Sequence, residues 1–463
     1  MQREMSIYSA IPKPKQKGFI NLVLFLASIA IVVYTGMIES DMTFIEVAGD
    51  TIIVSACYLL LYLFILHFRK EILDVSRKIL FILAIILAFV IMTKFVITQH
   101  QASIIFLVPY ALIALVIRSF YDARLAMFIL LVTLMLSGFM VTGPFEFIFI
   151  NLLAGIVAIL SLSDINRKYK LIFSSFMVTI TYIVIFIALT IRQKGTVSMS
   201  ELSELKWFIG NGLLLLSGYP IISIFEKKFY FLSDTTMHEL SDSNNPLLRR
   251  LSEEAPGSYQ HSLQVANLAE AASRSIGANV LLSRTGSLYH DIGKITSPEF
   301  FIENQKSEGN PHLDLDPEVS SRIIINHVEE GVKLAHDYKI PVQIIDFIKT
   351  HHGTKKAYYF YKKYLQKEKT GKLTEVDFQY KGPKPFSREM AIVMMADAVE
   401  ASSRTLEEYT EETINELVER TVLIQEQEEQ FSDAPLTFRE ITEIKAVFKK
   451  RLSNMYHSRI AYP

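Results

Sequence analysis

A single cysteine, Cys57, stands in 463 residues and lies inside an apolar run, so an intrachain disulfide and a thiolate metal cluster are both excluded. An excess of positive charge is missing too: 47 Lys and Arg face 48 Asp and Glu, and no basic tract suggests long nucleic acid as a partner. Sustained apolar–polar alternation is scarce, which leaves little room for a sheet. The apolar first half shows no internal repeat and no sugar, ion or peptide motif. Any metal site must therefore be built from His and carboxylate.

What the chain does have is apolar mass, unevenly placed. Half of the residues are apolar and the mean hydropathy is positive, unusual for a soluble protein with 21% charged residues. Residues 1–226 hold 30 of the 95 charged residues and carry a net +4, whereas 227–463 hold the other 65 and carry −5. A membrane helix needs about 20 apolar residues. Eight candidate spans result, at 18–37, 51–68, 79–98, 103–118, 123–141, 145–163, 171–191 and 207–226.

Cytoplasmic loops collect Lys and Arg. The N-terminus has Lys13, Lys15 and Lys17; alternate connections have Arg69, Lys70, Arg77 and Lys78, then Arg118 and Arg124, then Arg167, Lys168 and Lys170; Lys227 and Lys228 follow the last span. The intervening connections, such as 38–50 with Glu39, Asp41, Glu46 and Asp50, lack that excess. Both termini are thus expected in the cytoplasm. The first span has the basic start of a signal peptide, but its length and the want of a small-residue cleavage site favour an uncleaved anchor. Trp207, Phe229 and Tyr230 fit interfacial anchors, and Glu146 and Asp164 sit at span edges where solvation accounts for them. This half could sense, anchor or dimerise, a homodimer being one state it allows.

The expected organisation is all-α: a polytopic membrane region over 1–226, a juxtamembrane linker over 227–256 and a cytoplasmic helical domain over 257–463. The linker is polar, with Ser241 through Asn245 before Pro246, and Pro256-Gly257 marks a break. Beyond it Leu263, Val265, Ala266, Leu268, Ala269 and Ala272, and later Ile323, Ile324, Val328, Val332 and Leu334, recur at helical spacing.

Nine of the eleven histidines follow residue 230. A lone His inside a helical domain is ordinarily a satisfied core residue. Two doublets of ligand-type residues, His290-Asp291 and His351-His352, with His261, His327 and Asp397 on other helices, are hard to explain as packing. Adjacent helical residues point about 100° apart, so one doublet can face two metals, and only a carboxylate can bridge them. Asp291 is the natural bridge. Such a pair of ions activates water and clamps the phosphoryl oxygens of an in-line attack. Imidazole and carboxylate suit iron, manganese or zinc without choosing among them. Lys294, three residues after Asp291, would share that face on a helix and could neutralise developing phosphate charge.

His290-Asp291-Ile292-Gly293-Lys294 resembles the HD superfamily of metal-dependent phosphohydrolases. With GSYQHS at 257–262, NPH at 310–312, HHGT at 351–354, YKGPKP at 380–385, ADAVEASSR at 396–404 and the closing LTFREI and YHSRIAYP, the chain resembles the seven-transmembrane HD family that includes cyclic di-AMP phosphodiesterases of the PgpH type. The resemblance implies a multi-pass enzyme of the bacterial inner membrane that linearises cyclic di-AMP to a 5′-phosphorylated diadenylate in second-messenger signalling. It also implies two metals, commonly iron or manganese, one held by His261, His290, Asp291 and Asp397 and the other by Asp291, His327, His351 and His352. Family members carry a sizeable extracytoplasmic domain after the first span, where this chain has only 38–50.

The motifs set two relatives aside. HD-GYP enzymes, which act on cyclic di-GMP, carry Gly-Tyr-Pro after the paired histidines, where this chain continues Gly353-Thr354-Lys355-Lys356; alarmone hydrolases have acidic residues where Gly293 and Lys294 stand. Two alternatives stay open: another HD phosphohydrolase, such as a nucleotidase or a cyclic di-GMP phosphodiesterase, and a membrane receptor whose HD domain only binds nucleotide. Base choice must come from the pocket wall, for which Asn310, His312, Tyr358, Tyr359 and Arg404 are the candidates.

Overall fold

The computed structural model describes residues 14–38, 42–99, 102–161, 169–305, 309–367 and 373–457. Lys13, Glu39, Asp41, Asp164, Arg167, Lys168 and the closing residues from Ser458 lie outside them. The chain divides into two units, Met1–Thr235 and Thr236–Pro463. Both are α-helical, and among the described residues there is no strand beyond one isolated bridge between Lys356 and Gln379.

The first unit consists of α1 (Pro14–Met37), α2 (Phe44–Phe68), α3 (Ser76–Thr98), a 3₁₀ turn (Ala102–Leu107) leading to α4 (Ala111–Phe120), α5 (Ala123–Gly138), α6 (Pro144–Ser161), α7 (Tyr169–Lys194), α8 (Met199–Leu215) and α9 (Gly218–Phe229). The eight expected spans do not become eight equal helices. Among the described residues six helical stretches are long and apolar enough to cross a membrane; α8 and α9 pass only as a pair bent by 41°; and α5 has 16 residues. At 1.5 Å per residue α5 reaches about 24 Å, short of the roughly 30 Å hydrocarbon core.

The second span also begins earlier than hydropathy suggests. Thr43 and Glu46 form a capping box that starts α2 at Phe44, seven residues before the expected start at 51. The connection expected over 38–50 is accordingly shorter.

Large apolar side chains such as Phe44, Ile45, Ile52 and Phe95 point outward, while α4 is buried from Ala111 to Ile117. Backbone exposed by the break before α4 needs partners, because hydrocarbon supplies none. Asn211 provides them: its Nδ2 donates to the carbonyls of Phe106 at 2.9 Å and Val108 at 3.0 Å. Three basic connections meet at one end of the bundle. Arg69 pairs with Asp122, Arg118 lies 3.6 Å from Asp234, and the Arg77 guanidinium stands 5.5 Å from the Tyr230 ring centroid.

The second unit follows with α10 (Asp234–Leu240), α11 (Pro246–Glu254), α12 (Pro256–Ser275), α13 (Val280–Tyr289), a 3₁₀ turn (Ile292–Thr296), α14 (Pro317–Asp337), α15 (Val342–Thr350), α16 (Tyr358–Lys367), α17 (Arg388–Ser403), α18 (Glu411–Gln427) and α19 (Phe438–His457). It starts about twenty residues before the expected domain start at 257. The reason is α11, capped by Asn245, which buries Leu247, Leu248 and Leu251 although its neighbours are polar. The core is built on α17, buried nearly throughout, against Val265, Leu268 and Ala272 of α12, Ile414, Val418 and Val422 of α18, and Ile444 and Phe448 of α19. The recurrence every three or four residues is the helical stripe.

Candidate metal centre

Five elements bring the chemistry together. α12 carries His261; α13 ends at Tyr289 and delivers His290 and Asp291; α14 carries His327; α15 ends before His351 and His352; α17 carries Asp397. The His290-Asp291 doublet sits at a junction, not within a helix: His290 caps α13 and Asp291 precedes the 3₁₀ turn. That junction aims the carboxylate across the cluster.

Two separate groups of donors result. His261, His290 and Asp397 have donor atoms within 4.8 Å of one another, and so do His327, His351 and His352. Asp291 lies between them. Its Oδ2 is 3.2 Å from His290 Nε2 and 3.5 Å from His261 Nε2; its Oδ1 is 3.4 Å from His327 Nε2 and 3.6 Å from His351 Nε2. Each oxygen thus addresses one group.

The imidazoles are oriented from behind. The Nδ1–H groups of His290, His327 and His351 donate to the carbonyls three residues earlier, Ser287 at 2.6 Å, Ile324 at 2.6 Å and Ile348 at 2.9 Å. This points each Nε2 at the cluster, the arrangement metal-binding histidines use. His327 Nε2 and His351 Nε2 stand 3.1 Å apart. Two lone pairs at that separation repel unless a cation lies against both. His261 is held differently: its Nδ1 bonds the buried Glu400 carboxylate, which also takes Arg404 Nη2 at 2.7 Å.

The buried atoms without hydrogen bonds are equally informative. His290 Nε2 and both Asp291 oxygens have none, although Lys294 Nζ lies 2.7 Å from Asp291 Oδ2 as an ion pair outside hydrogen-bond alignment. Orphaned buried acceptors are costly, and divalent ions would satisfy them. The donor set, imidazole nitrogen with carboxylate oxygen, fits such ions.

Charge follows the same division. Burial opposes charging His290, but Asp291 and Asp397 outweigh it and raise its pKa to about 10, so the proton this places on Nε2 is one that a metal ion would displace. Burial lowers His351 to about 4, and burial with the neighbouring His351 holds His352 well below the usual imidazole range. Burial favours protonating Asp291, yet His290 and Lys294 overcome it and hold the carboxylate well below its ordinary value. The Asp291 carboxylate is an anion at neutral pH.

Lys294 is committed to two carboxylates, 2.7 Å from Asp291 and 2.7 Å from Glu303 Oε1, with its ammonium 5.0 Å from the Phe301 ring centroid. The chain makes a 3₁₀ turn here, with Lys294 N donating to Asp291 O at 3.0 Å, so the helical face expected from the spacing is replaced by a tighter return.

A cleft of about 1360 Å³ opens beside the cluster, lined by His261, His352 and Asp397 among others. Of the five proposed wall residues, Tyr358, Tyr359 and Arg404 line it, the two tyrosines 63% and 60% exposed and available to a ligand. Asn310 and His312 are used elsewhere. Asn310 Oδ1 accepts from His312 N at 2.9 Å, and His312 Nε2 donates to Phe300 O at 2.9 Å, which leaves the ring packed against Phe300 and the cleft residue Phe360.

Three contributors were not singled out from sequence. Glu400 and Glu303 stand behind His261 and Lys294, and Gln430 clasps the HHGT turn, its Oε1 accepting from Thr354 N at 3.0 Å and its Nε2 donating to Thr354 Oγ1 at 3.1 Å. The ADAVEASSR string contains Glu400, one helical turn after Asp397, and that spacing was the available signal. Gln430 carried none.

Residues 44–233 match the family described as 7TM receptor with intracellular HD hydrolase, and residues 258–402 match the HD domain. The cyclic-di-AMP phosphodiesterase PgpH of Bacillus subtilis strain 168 is 33% identical over 444 residues, covering 93% of this chain and 62% of the relative. The protein of the same name from Listeria monocytogenes serotype 1/2a is 33% identical over 441 residues, covering 92% of this chain and 60% of the relative. The chain therefore spans about three fifths of these relatives' length. The crystal structure of the L. monocytogenes PgpH HD domain in complex with cyclic-di-AMP matches with 40% identity and a TM-score of 0.45, covering 46% of this chain and all of the other.

Proposed function

We propose that the second unit of this chain, whose residues 44–233 match the family described as 7TM receptor with intracellular HD hydrolase and whose residues 258–402 match the HD domain, is a two-metal phosphodiesterase that opens cyclic di-AMP to linear pApA. The observation that carries the reading is Asp291, whose two oxygens face two separate imidazole groups. His261, His290 and Asp397 would hold one divalent ion, His327, His351 and His352 the other, and Asp291 would contact both. Iron or manganese suits these donors. When bound, the ions supply an activated water and a charge clamp for the phosphoryl oxygens.

The chain's own residues do the rest. Carbonyls behind His290, His327 and His351 fix the tautomer, and Glu400 does so for His261. Glu303 and Lys294 hold the Asp291 carboxylate in place, and the exposed rings of Tyr358 and Tyr359 offer surfaces on which purines stack. Stacking tolerates either purine, so the preference for adenine is carried by the named activity of the two relatives. With manganese, kcat/KM should be higher for cyclic di-AMP than for cyclic di-GMP, with linear diadenylate as the first product in a chromatographic time course. Equal or reversed preference would sink the cyclic di-AMP assignment and leave the phosphodiesterase chemistry standing; tight nucleotide binding without turnover would favour a receptor.

The protein is further assigned to a bacterial inner membrane with its HD domain and both termini in the cytoplasm, since the basic connections at Arg69, Arg77 and Arg118 gather at one end of the bundle. A phosphatase reporter that works only in the periplasm should stay silent when fused after Pro463. Its activity there would overturn the orientation.

A further inference from the structure

Five cationic side chains line the cleft: Lys294, Lys355, Lys356, Arg404 and Arg420. A phosphodiester entering it needs a cation whose charge is not already matched, so the existing partners decide which one can serve. Lys294 lies between Asp291 and Glu303 at 2.7 Å each. Arg404 grips Glu400 through Nε and Nη2, and Lys356 Nζ lies 2.6 Å from Glu375 Oε1. Arg420 is exposed to solvent, where a single ion contact adds little.

Lys355 differs from all four. Among the described residues its ammonium makes no ion pair and no hydrogen bond, while its backbone is fixed on both sides: Lys355 N donates to His352 O at 3.0 Å and its carbonyl accepts from Tyr380 N at 2.8 Å. The residue therefore leaves the HHGT turn at a set point three positions after His352. Its stem is partly buried in the cleft wall. Asp397 and Glu428 act on it only from beyond ion-pair distance. We propose that Lys355 is the phosphate-gripping residue of this cleft, its ammonium donating to a non-bridging oxygen of the phosphodiester presented to the His352 and Asp397 side of the metal centre.

The inference deepens the phosphodiesterase reading and rests on it. It also divides the labour of two lysines: Lys294 maintains the bridging carboxylate, and Lys355 meets the substrate.

The test uses the full chain loaded with manganese, with Lys355→Met and Lys355→Arg variants. Lys355→Met should keep the wild-type metal content and raise KM for cyclic di-AMP by about 10- to 100-fold, the scale of one lost charge-assisted hydrogen bond, and Lys355→Arg should recover part of it. Titration of adenosine monophosphate reads the same contact without turnover and should weaken about tenfold in Lys355→Met. A KM and a monophosphate affinity within twofold of wild type, or loss of metal from Lys355→Met, would overturn the role. If the wild type leaves cyclic di-AMP intact, the substrate reading fails on its own, and the monophosphate titration still decides on Lys355.

Discussion

Asp291→Ala is expected to strip both ions from the protein and to lower kcat/KM by on the order of 10⁴-fold, the scale seen when a carboxylate central to a catalytic unit is removed. The geometry favours Asp291 as the bridge. Its Oδ2 serves the His261–His290 group and its Oδ1 the His327–His351 group, two histidines each within 3.6 Å, whereas Asp397, the other carboxylate among the seven candidate ligands, lies with the first group and reaches the second only through Oδ2, 3.8 Å from His352 Nδ1. Removing Asp291 also frees Lys294, whose buried ammonium would then stand among imidazoles with Glu303 as its remaining partner. That cation would repel an incoming metal. His327→Ala makes the matched comparison, since it leaves His351, His352 and both Asp291 oxygens in place and should mainly weaken one ion. Elemental analysis of the purified variants reads both outcomes. Two ions per chain retained by the Asp291 variant would show that the carboxylate is not the bridge.

The two halves and the seven residues that cluster in the second unit were legible because each is written in local chemistry. Runs of apolar residues mark spans regardless of tertiary contact, and two ligand doublets in a helical domain are rare enough to stand out. What stayed hidden depends on contacts across the fold. The apolar residues of α14 suggest Ile323, Ile324, Val328 and Val332 as its inward face, yet the buried positions are Ser320, Ser321, His327, Gly331 and Ala335. Small residues face inward there because another backbone comes too close for an isoleucine, and Ile324 lines the cleft. Lys294 was read as a cation waiting for phosphate because Glu303, nine residues on, gives no sign in the sequence that it returns to the same ammonium. Asn310 and His312 looked like pocket residues because they are polar and sit in a motif, and they turn out to fasten the segment that carries Phe300. Motif membership reports that a residue matters and leaves open whether it meets the ligand.

Gly293 makes that backbone approach testable, and replacing it should be the most damaging single-methyl change in the second unit's metal centre. A Cβ built on Gly293 would stand 1.8 Å from the carbonyl oxygen of His327, 2.8 Å from its carbonyl carbon and 2.5 Å from the nitrogen of Gly331. These are backbone atoms of α14, so no side-chain rotation relieves the contact, and the 3₁₀ turn would have to withdraw by roughly 1.5 Å to reach van der Waals separation. Overpacking of this kind costs about 3 kcal/mol. The withdrawal also separates Asp291, two residues before Gly293, from His327 on the opposing helix, and misplacement of about 1 Å at a reacting centre lowers rates on the order of 100-fold. Gly293→Ala should therefore lower the melting temperature of the metal-free protein and lose the ion of the His327 group in preference to that of the His261 group. Gly49→Ala is the control, because its added methyl meets nothing within 4 Å and should change neither quantity. A Gly293→Ala protein that melts with the wild type and holds both ions would mean that the turn and α14 are not packed as described, and the account of how Asp291 reaches both groups would fall with it.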